Sequence, residues 1–182
     1  MNKELKIVCL GDSITWGFPF GPRHSWTHML AEILQVKVIN KGINGNTTTE
    51  MCKRFNRDVA AFSPSHVVIM GGANDIILAD SFDRITWNYR EMARKAQEYG
   101  ITVIIGLPTP MDDEYYEKML GRLRDWLLEF ARKNQFKVID FAAAFYNDQG
   151  RLRTELLLAD GGHPASVGYL EMFKQIDIDS FT

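Results

Sequence analysis

Five short, β-branched runs separated by helical apolar patterns predict an α/β protein whose parallel sheet is covered by helices on both faces. The runs are residues 6–10, 36–40, 66–70, 101–107 and 137–141. They read as strands buried on both sides, as the strands of a parallel sheet are. Strands that alternate with helices imply right-handed crossovers, which fixes the handedness of each connection.

The helices follow in order. Trp26, Leu30 and Ile33 recur at helical spacing after the first strand, and Met51, Phe55, Val59 and Phe62 do so after the second. The next two stripes are Ile85, Tyr89, Met92, Ala96 and Tyr99, then Met119, Leu123, Trp126 and Phe130. Each marks one buried face. A last helix is expected to start near Pro164, because proline suits the first helical turn, and to bury Val167, Leu170, Phe173 and Ile176. Five such units fit a flavodoxin-like three-layer α/β/α sandwich, with a five-stranded parallel sheet and one domain over residues 1–182. In such sheets ligands bind beyond the carboxyl ends of the strands, near the point where strand order reverses. The least regular stretches, 15–23, 71–84, 108–114 and 142–162, all follow strands.

Of the 182 residues, 46% are AVILMFWYC and 24% are charged, an ordinary globular composition that excludes extensive disorder. A chain of this length buries roughly 70% of its unfolded surface, so its core needs neither disulfides nor a structural metal. The 21 Lys+Arg against 23 Asp+Glu, with no long like-charge run, argue against nucleic acid or an anionic membrane as principal partner. Cys9 and Cys52 are too few for a disulfide framework and suit a reducing compartment. The apolar run after Lys3 and Lys6 is too short for a signal peptide, and no segment approaches the roughly 20 apolar residues of a membrane span. A cytoplasmic protein without integral membrane association is expected.

Four loops at the same expected sheet edge carry chemistry. Gly11-Asp12-Ser13-Ile14-Thr15-Trp16-Gly17 places the Ser13 hydroxyl at a strand-to-helix turn with free backbone amides. The same residues also suit a plain turn with Ser13 as a cap. Asp160-Gly161-Gly162-His163-Pro164 sets a carboxylate three residues before an imidazole, so Asp160 can orient His163 as a general base; the bland alternative is a helix cap beside a surface histidine. In Gly71-Gly72-Ala73-Asn74-Asp75, Asn74 offers an amide donor to a developing oxyanion. Gly42-Ile43-Asn44-Gly45-Asn46-Thr47 offers backbone N–H groups before a helix. One component of an acyl-transfer site in each of four loops favours function over four independent turns.

These four blocks, in this order, resemble the SGNH hydrolases, the GDSL-type esterases and lipases, over essentially the whole chain. The first block departs slightly, with Ile14 where the family has leucine. The resemblance implies Ser13 as nucleophile, Asp160 and His163 as the rest of a triad, and an oxyanion hole made of the Ser13 and Gly45 N–H groups and the Asn74 side chain. Gly42, in the same block, is the alternative to Gly45. It further implies hydrolysis of small-molecule esters or thioesters through an acyl-enzyme, with no cofactor. Gly-x-Ser-x-Gly does not occur, which disfavours an α/β-hydrolase. The competing class is a non-catalytic flavodoxin-like module that holds a phosphate or nucleotide on the turn at residues 11–17, a reading that leaves His163 without a task.

Other features read as bland. His24 and His28 have four-residue spacing, but no third ligand accompanies them, so no metal is expected. Asp12 and Asp75 read as braces for their turns. Trp16, Phe18, Phe20, Met111, Tyr115 and Tyr116 lie in or beside loops at the expected site and could line an acyl or aromatic pocket, with Trp16, Phe18, Met111 and Tyr115 put first. With no long insertion to form a lid, an open crevice selective for acyl groups of about C2 to C8 is expected.

Overall fold

The computed structural model describes residues 4–181. Five strands, β1 (Lys6–Gly11), β2 (Lys37–Gly42), β3 (His66–Met70), β4 (Thr102–Gly106) and β5 (Lys137–Ile139), form one sheet of order β2-β1-β3-β4-β5. Every pairing is parallel. Among the described residues seven α-helices accompany them: α1 (Ser13–Trp16), α2 (Trp26–Leu34), α3 (Thr48–Asp58), α4 (Ala73–Ile77), α5 (Phe82–Glu98), α6 (Glu114–Asn134) and α7 (Ser166–Lys174). This is the expected flavodoxin-like three-layer sandwich.

Alternation along β1 shows how the layers are built. Val8 and Leu10 join Val67, Ile69, Val103 and Ile105 in a core under α3, α5 and α6. Ile7 and Cys9 point the other way, with Val68, Met70 and Ile104, into a second core closed by α2 and α7. The two edge strands are the exceptions to burial on both faces: β5 buries only Ile139, and β2 goes further. As an edge strand it keeps no fully buried residue.

Register brings the site together. Gly11 at the end of β1 is level with Gly42 of β2 and Met70 of β3, so three loops leave the sheet side by side. Strand order reverses at β1, which places this edge where the ligand crevice of such sheets forms. Gly42 has to be glycine for a steric reason. A Cβ there would lie 2.1 Å from the Trp16 backbone nitrogen, so α1 could not settle against β2.

The last helix differs from the expectation. α7 begins at Ser166, and Pro164 instead bridges Leu157 in a short antiparallel pair. Its buried face is Gly168, Tyr169 and Met172 with Ile176 beyond, whereas Val167 and Leu170 are 54% and 48% exposed. Close packing decides this, because a Cβ on Gly168 would lie 2.4 Å from the Leu156 carbonyl oxygen. The glycine lets the helix approach on that face, and Val167 and Leu170 turn outward. Ile33 and Tyr99, at the ends of their stripes, are also exposed. On α6 the buried stripe is Leu120, Leu123, Leu127 and Ala131, with Met119, Trp126 and Phe130 packed at its margin.

Candidate active site

The turn after β1 is capped from within. Asp12 accepts a hydrogen bond from the Ile14 N–H at 3.0 Å, and Gly17, at φ 99°, ends α1 after one turn. Asp12 is only 3% exposed. Burial pushes its carboxyl up to about 6, against the pull of the Ile14 N–H and of His163. Ser13, the first residue of α1, is 6% exposed, and its N–H has no acceptor among the described residues.

The segment 157–164 is folded back on itself so that His163 faces Ser13. Leu158 N–H donates to the His163 carbonyl at 2.8 Å, and Gly161 N–H returns to Leu158 at 2.9 Å. Asp160 Oδ1 accepts from the N–H groups of Gly162 and His163, both at 3.0 Å. Partial burial raises the Asp160 carboxyl, but these two N–H groups and the imidazole outweigh it and hold it below the usual carboxylate range. Its Oδ2 lies 2.7 Å from His163 Nδ1, and His163 Nε2 lies 2.9 Å from Ser13 Oγ. Ser13, His163 and Asp160 therefore form one continuous hydrogen-bonded chain.

Asn74 enters from α4. Its Nδ2 donates to the Asn46 carbonyl at 2.9 Å, tying the loop after β3 to the loop after β2. Gly42 and Gly45 differ in how their N–H groups are used. Gly42 N–H is committed to Asn40 Oδ1 at 2.8 Å, whereas Gly45 N–H, on an exposed turn at φ 77°, has no acceptor among the described residues. Gly45 is the neighbour of Asn46 but is not itself among the residues lining the cleft. Asp75 is fully buried and accepts from the N–H and hydroxyl of Thr48, which braces α4 against the start of α3.

A cleft of about 370 Å³ opens over Ser13. Asn74 and Ile77 line one side of it, Met111, Asp112, Asp113 and Tyr116 another, and Asp160 and His163 a third. The wall at 111–113 is fastened at two adjacent residues. Asp112 N–H donates to the Gly161 carbonyl at 2.7 Å and Met111 N–H to Glu117 Oε2 at 3.0 Å.

Of the four pocket residues put first, the structure brings only Met111 into the lining, and of the other two it brings Tyr116. Tyr115 points away, 66% exposed, beside Ala79 and Met119, and the next residue, Tyr116, takes its place. Trp16 lies near Gly21, outside the cleft, because its backbone is seated on Gly42. Phe18 packs on the His163 ring, with centroids 4.6 Å apart, and its carbonyl accepts from the Tyr169 hydroxyl at 2.8 Å. Ile77 went unnoticed in the sequence, where it sits in a loop-like stretch with no periodicity. His24 and His28 do not converge; His28 lies 3.5 Å from Glu32, and His24 lies against Phe20. No group of three metal-ligating side chains occurs among the described residues.

The model of the GDSL-like lipase/acylhydrolase family matches residues 9–170. The chain belongs to that family. It is 26% identical to an arylesterase of Vibrio mimicus over 164 residues, covering 87% of this chain and 80% of the relative. It is 25% identical to the esterase TesA of Pseudomonas aeruginosa, covering 93% and 85%. Among solved structures, a member of the lipolytic G-D-S-L family from Veillonella parvula superimposes with a TM-score of 0.82 at 27% identity, covering 94% of this chain and 95% of that one. Membership overturns the non-catalytic phosphate-binding reading, since this is an ester-hydrolase family. The cleft carries the wrong charge for a phosphate as well, because Asp12, Asp112, Asp113 and Asp160 line it with no lysine or arginine.

Proposed function

We propose that this GDSL-type esterase is a serine hydrolase of small carboxylic esters or thioesters with short acyl groups, working through an acyl-enzyme. The observation that carries the reading is the chain from Ser13 Oγ through His163 to Asp160, at 2.9 and 2.7 Å. With Nδ1–H donated to Asp160, the free lone pair of His163 is at Nε2, facing the hydroxyl. As Ser13 Oγ attacks the carbonyl carbon, His163 Nε2 takes its proton and Asp160 stabilises the imidazolium. The carbonyl oxygen becomes an oxyanion held by the Ser13 N–H, the Asn74 amide and the Gly45 N–H of the adjoining turn. Collapse expels the alcohol or thiol, which leaves with the proton from Nε2. Water, deprotonated by the same nitrogen, then releases the acid and restores Ser13.

The four carboxylates around the cleft favour neutral acyl donors over anionic ones. Aryl esters accord with the arylesterase name of the Vibrio relative. A cytoplasmic location belongs to the same proposal and rests on two buried free cysteines. Labelling with a fluorophosphonate followed by peptide mapping tests the mechanism, because only an activated serine reacts. The adduct is expected on Ser13 and absent in Ser13→Ala, which folds but does not turn over p-nitrophenyl esters. Wild-type-like turnover by Ser13→Ala would sink the assignment.

A further inference from the structure

α3 carries a charged residue on neither its apolar stripe nor its solvent face. Arg54 is 7% exposed, and its guanidinium is shared among the loops that leave the sheet beside Ser13. Nη2 donates to the Gly11 carbonyl at 2.7 Å, two residues before Ser13. Nη1 donates to the Lys41 carbonyl at 2.9 Å, at the end of β2. Nε donates to Asn46 Oδ1 at 2.7 Å. Asn46 follows Gly45, and its own carbonyl receives the Asn74 amide. One planar cation thus reaches, directly or through a single residue, every segment that bears a proposed oxyanion donor.

The charge is balanced one helical turn away, where Asp58 Oδ2 lies 3.1 Å from Nη1 and also meets Arg57 at 2.8 Å. Stability alone does not call for this arrangement, since well-packed apolar residues often replace a buried ion pair without loss. What an apolar side chain cannot do is bond to two backbone carbonyls and a side-chain oxygen of three diverging loops at fixed angles. Lysine is a poor substitute too, being a point charge without the planar fork.

Resting on the hydrolase reading above, we propose that Arg54 is the positioning residue of the oxyanion hole, holding the turn at 43–46 against the end of β1 so that the Ser13, Gly45 and Asn74 donors converge. Such donors act on charge that develops in the transition state, so their misalignment lowers kcat and spares KM.

The test is steady-state kinetics on p-nitrophenyl butyrate for Arg54→Lys and Asn46→Ala, each alone and combined with Asn74→Ala. Arg54→Lys is expected to lower kcat about 10- to 100-fold with KM within about 3-fold, a misplaced donor set costing up to about 10²-fold. Asn46→Ala, which removes one of the three loop acceptors, is expected to show the same split at about 3- to 10-fold. In the Asn74→Ala background both losses are smaller than in wild type, because one of the donors being aligned is gone; a general structural loss multiplies in full instead. Full multiplication, a change confined to KM, or wild-type kcat in Arg54→Lys would overturn the proposal. Should Arg54→Lys fail to fold, Asn46→Ala in the two backgrounds decides alone. Retained turnover in Ser13→Ala would defeat the hydrolase reading itself, an outcome separate from any result on Arg54.

Discussion

Replacing Asn74 by alanine removes a single hydrogen-bond donor, and the geometry fixes how many are at stake. The amide nitrogen has two hydrogens, and one is already committed to the Asn46 carbonyl at 2.9 Å. The other is the one available to the cleft, so the cost is that of one oxyanion donor, about 2.7–4 kcal/mol of transition-state stabilisation. At 1.36 kcal/mol per decade this lowers kcat about 10²- to 10³-fold, with a much smaller effect on KM. Losing the bond to Asn46 costs a further 0.5–1.5 kcal/mol or so of folding stability, which urea unfolding reads separately. Asn74→Asp sharpens the test because its shape is unchanged. A carboxylate about 4 Å from the developing oxyanion, at an effective dielectric near 20, adds roughly 4 kcal/mol of repulsion. Its kcat should fall well below that of the alanine variant. Steady-state kinetics on p-nitrophenyl butyrate at neutral pH measures both. A raised KM with unchanged kcat would make Asn74 a substrate-binding group and refute the reasoning, as would an aspartate variant more active than the alanine one.

Asp160→Asn should cost about 10⁴-fold in kcat, because an amide donor opposite Nδ1 forces the wrong His163 tautomer; undiminished turnover would leave Asp160 without a role. Asp12 gives a pH signature in stability rather than rate. Its carboxyl is raised from 3.8 to about 6 in the folded protein, so the fold holds the proton more tightly than the unfolded chain and loses stability as pH climbs through that window. The interval corresponds to about 3 kcal/mol at 1.36 kcal/mol per pH unit. Asp12→Asn stays neutral and still accepts from Ile14 N–H, so its stability relative to wild type should rise between about pH 4 and 6 and then level off; a pH-independent difference in urea unfolding refutes this. Substrate length follows from the fixed wall at 111–113. Each buried CH₂ gains about 0.8 kcal/mol only while that wall continues, so kcat/KM should climb from acetate and level off within about C4 to C8. A steady rise to C14 or C16 esters, measured below the micelle threshold, would point to a deeper groove.

The sheet was legible in the sequence because its strands are contiguous apolar runs, and position along such a run needs no knowledge of partners. Three site blocks were legible because each keeps its chemistry within a few residues of a strand end, and the fourth, well beyond β5, because Asp160 and His163 sit three residues apart in one turn. Contacts across the fold were not. Val167 and Leu170 look like a core stripe until Gly168 is seen against Leu156, an approach made by a missing side chain that adds nothing to an apolar count. Tyr115 and Tyr116 are indistinguishable in composition, and the capping of α6 by Asp113, which accepts from Tyr116 N–H, sets which of them turns to the cleft. Arg54 was invisible for another reason. Paired with Asp58 at four-residue spacing, it reads as an ordinary surface ion pair.

Ser13 and His163 are 150 residues apart in the chain yet share one hydrogen bond. Between them, after β5, Asn147 to Gly150 form an exposed turn closed by Gly150 N–H on the Asn147 carbonyl, flanked by the pairing of Tyr146 with Leu152. A cut in that turn divides the molecule into a larger piece with the hydroxyl and the Asn74 amide, and a smaller one with the carboxylate and the imidazole. Neither piece has a complete proton path. Turnover would then return only when the two reassociate, with Tyr169 and Met172 docked beside Trp26 and Leu30. That makes the chain a natural candidate for a two-fragment reporter, in which colour from a chromogenic ester registers the meeting of whatever proteins the halves are fused to.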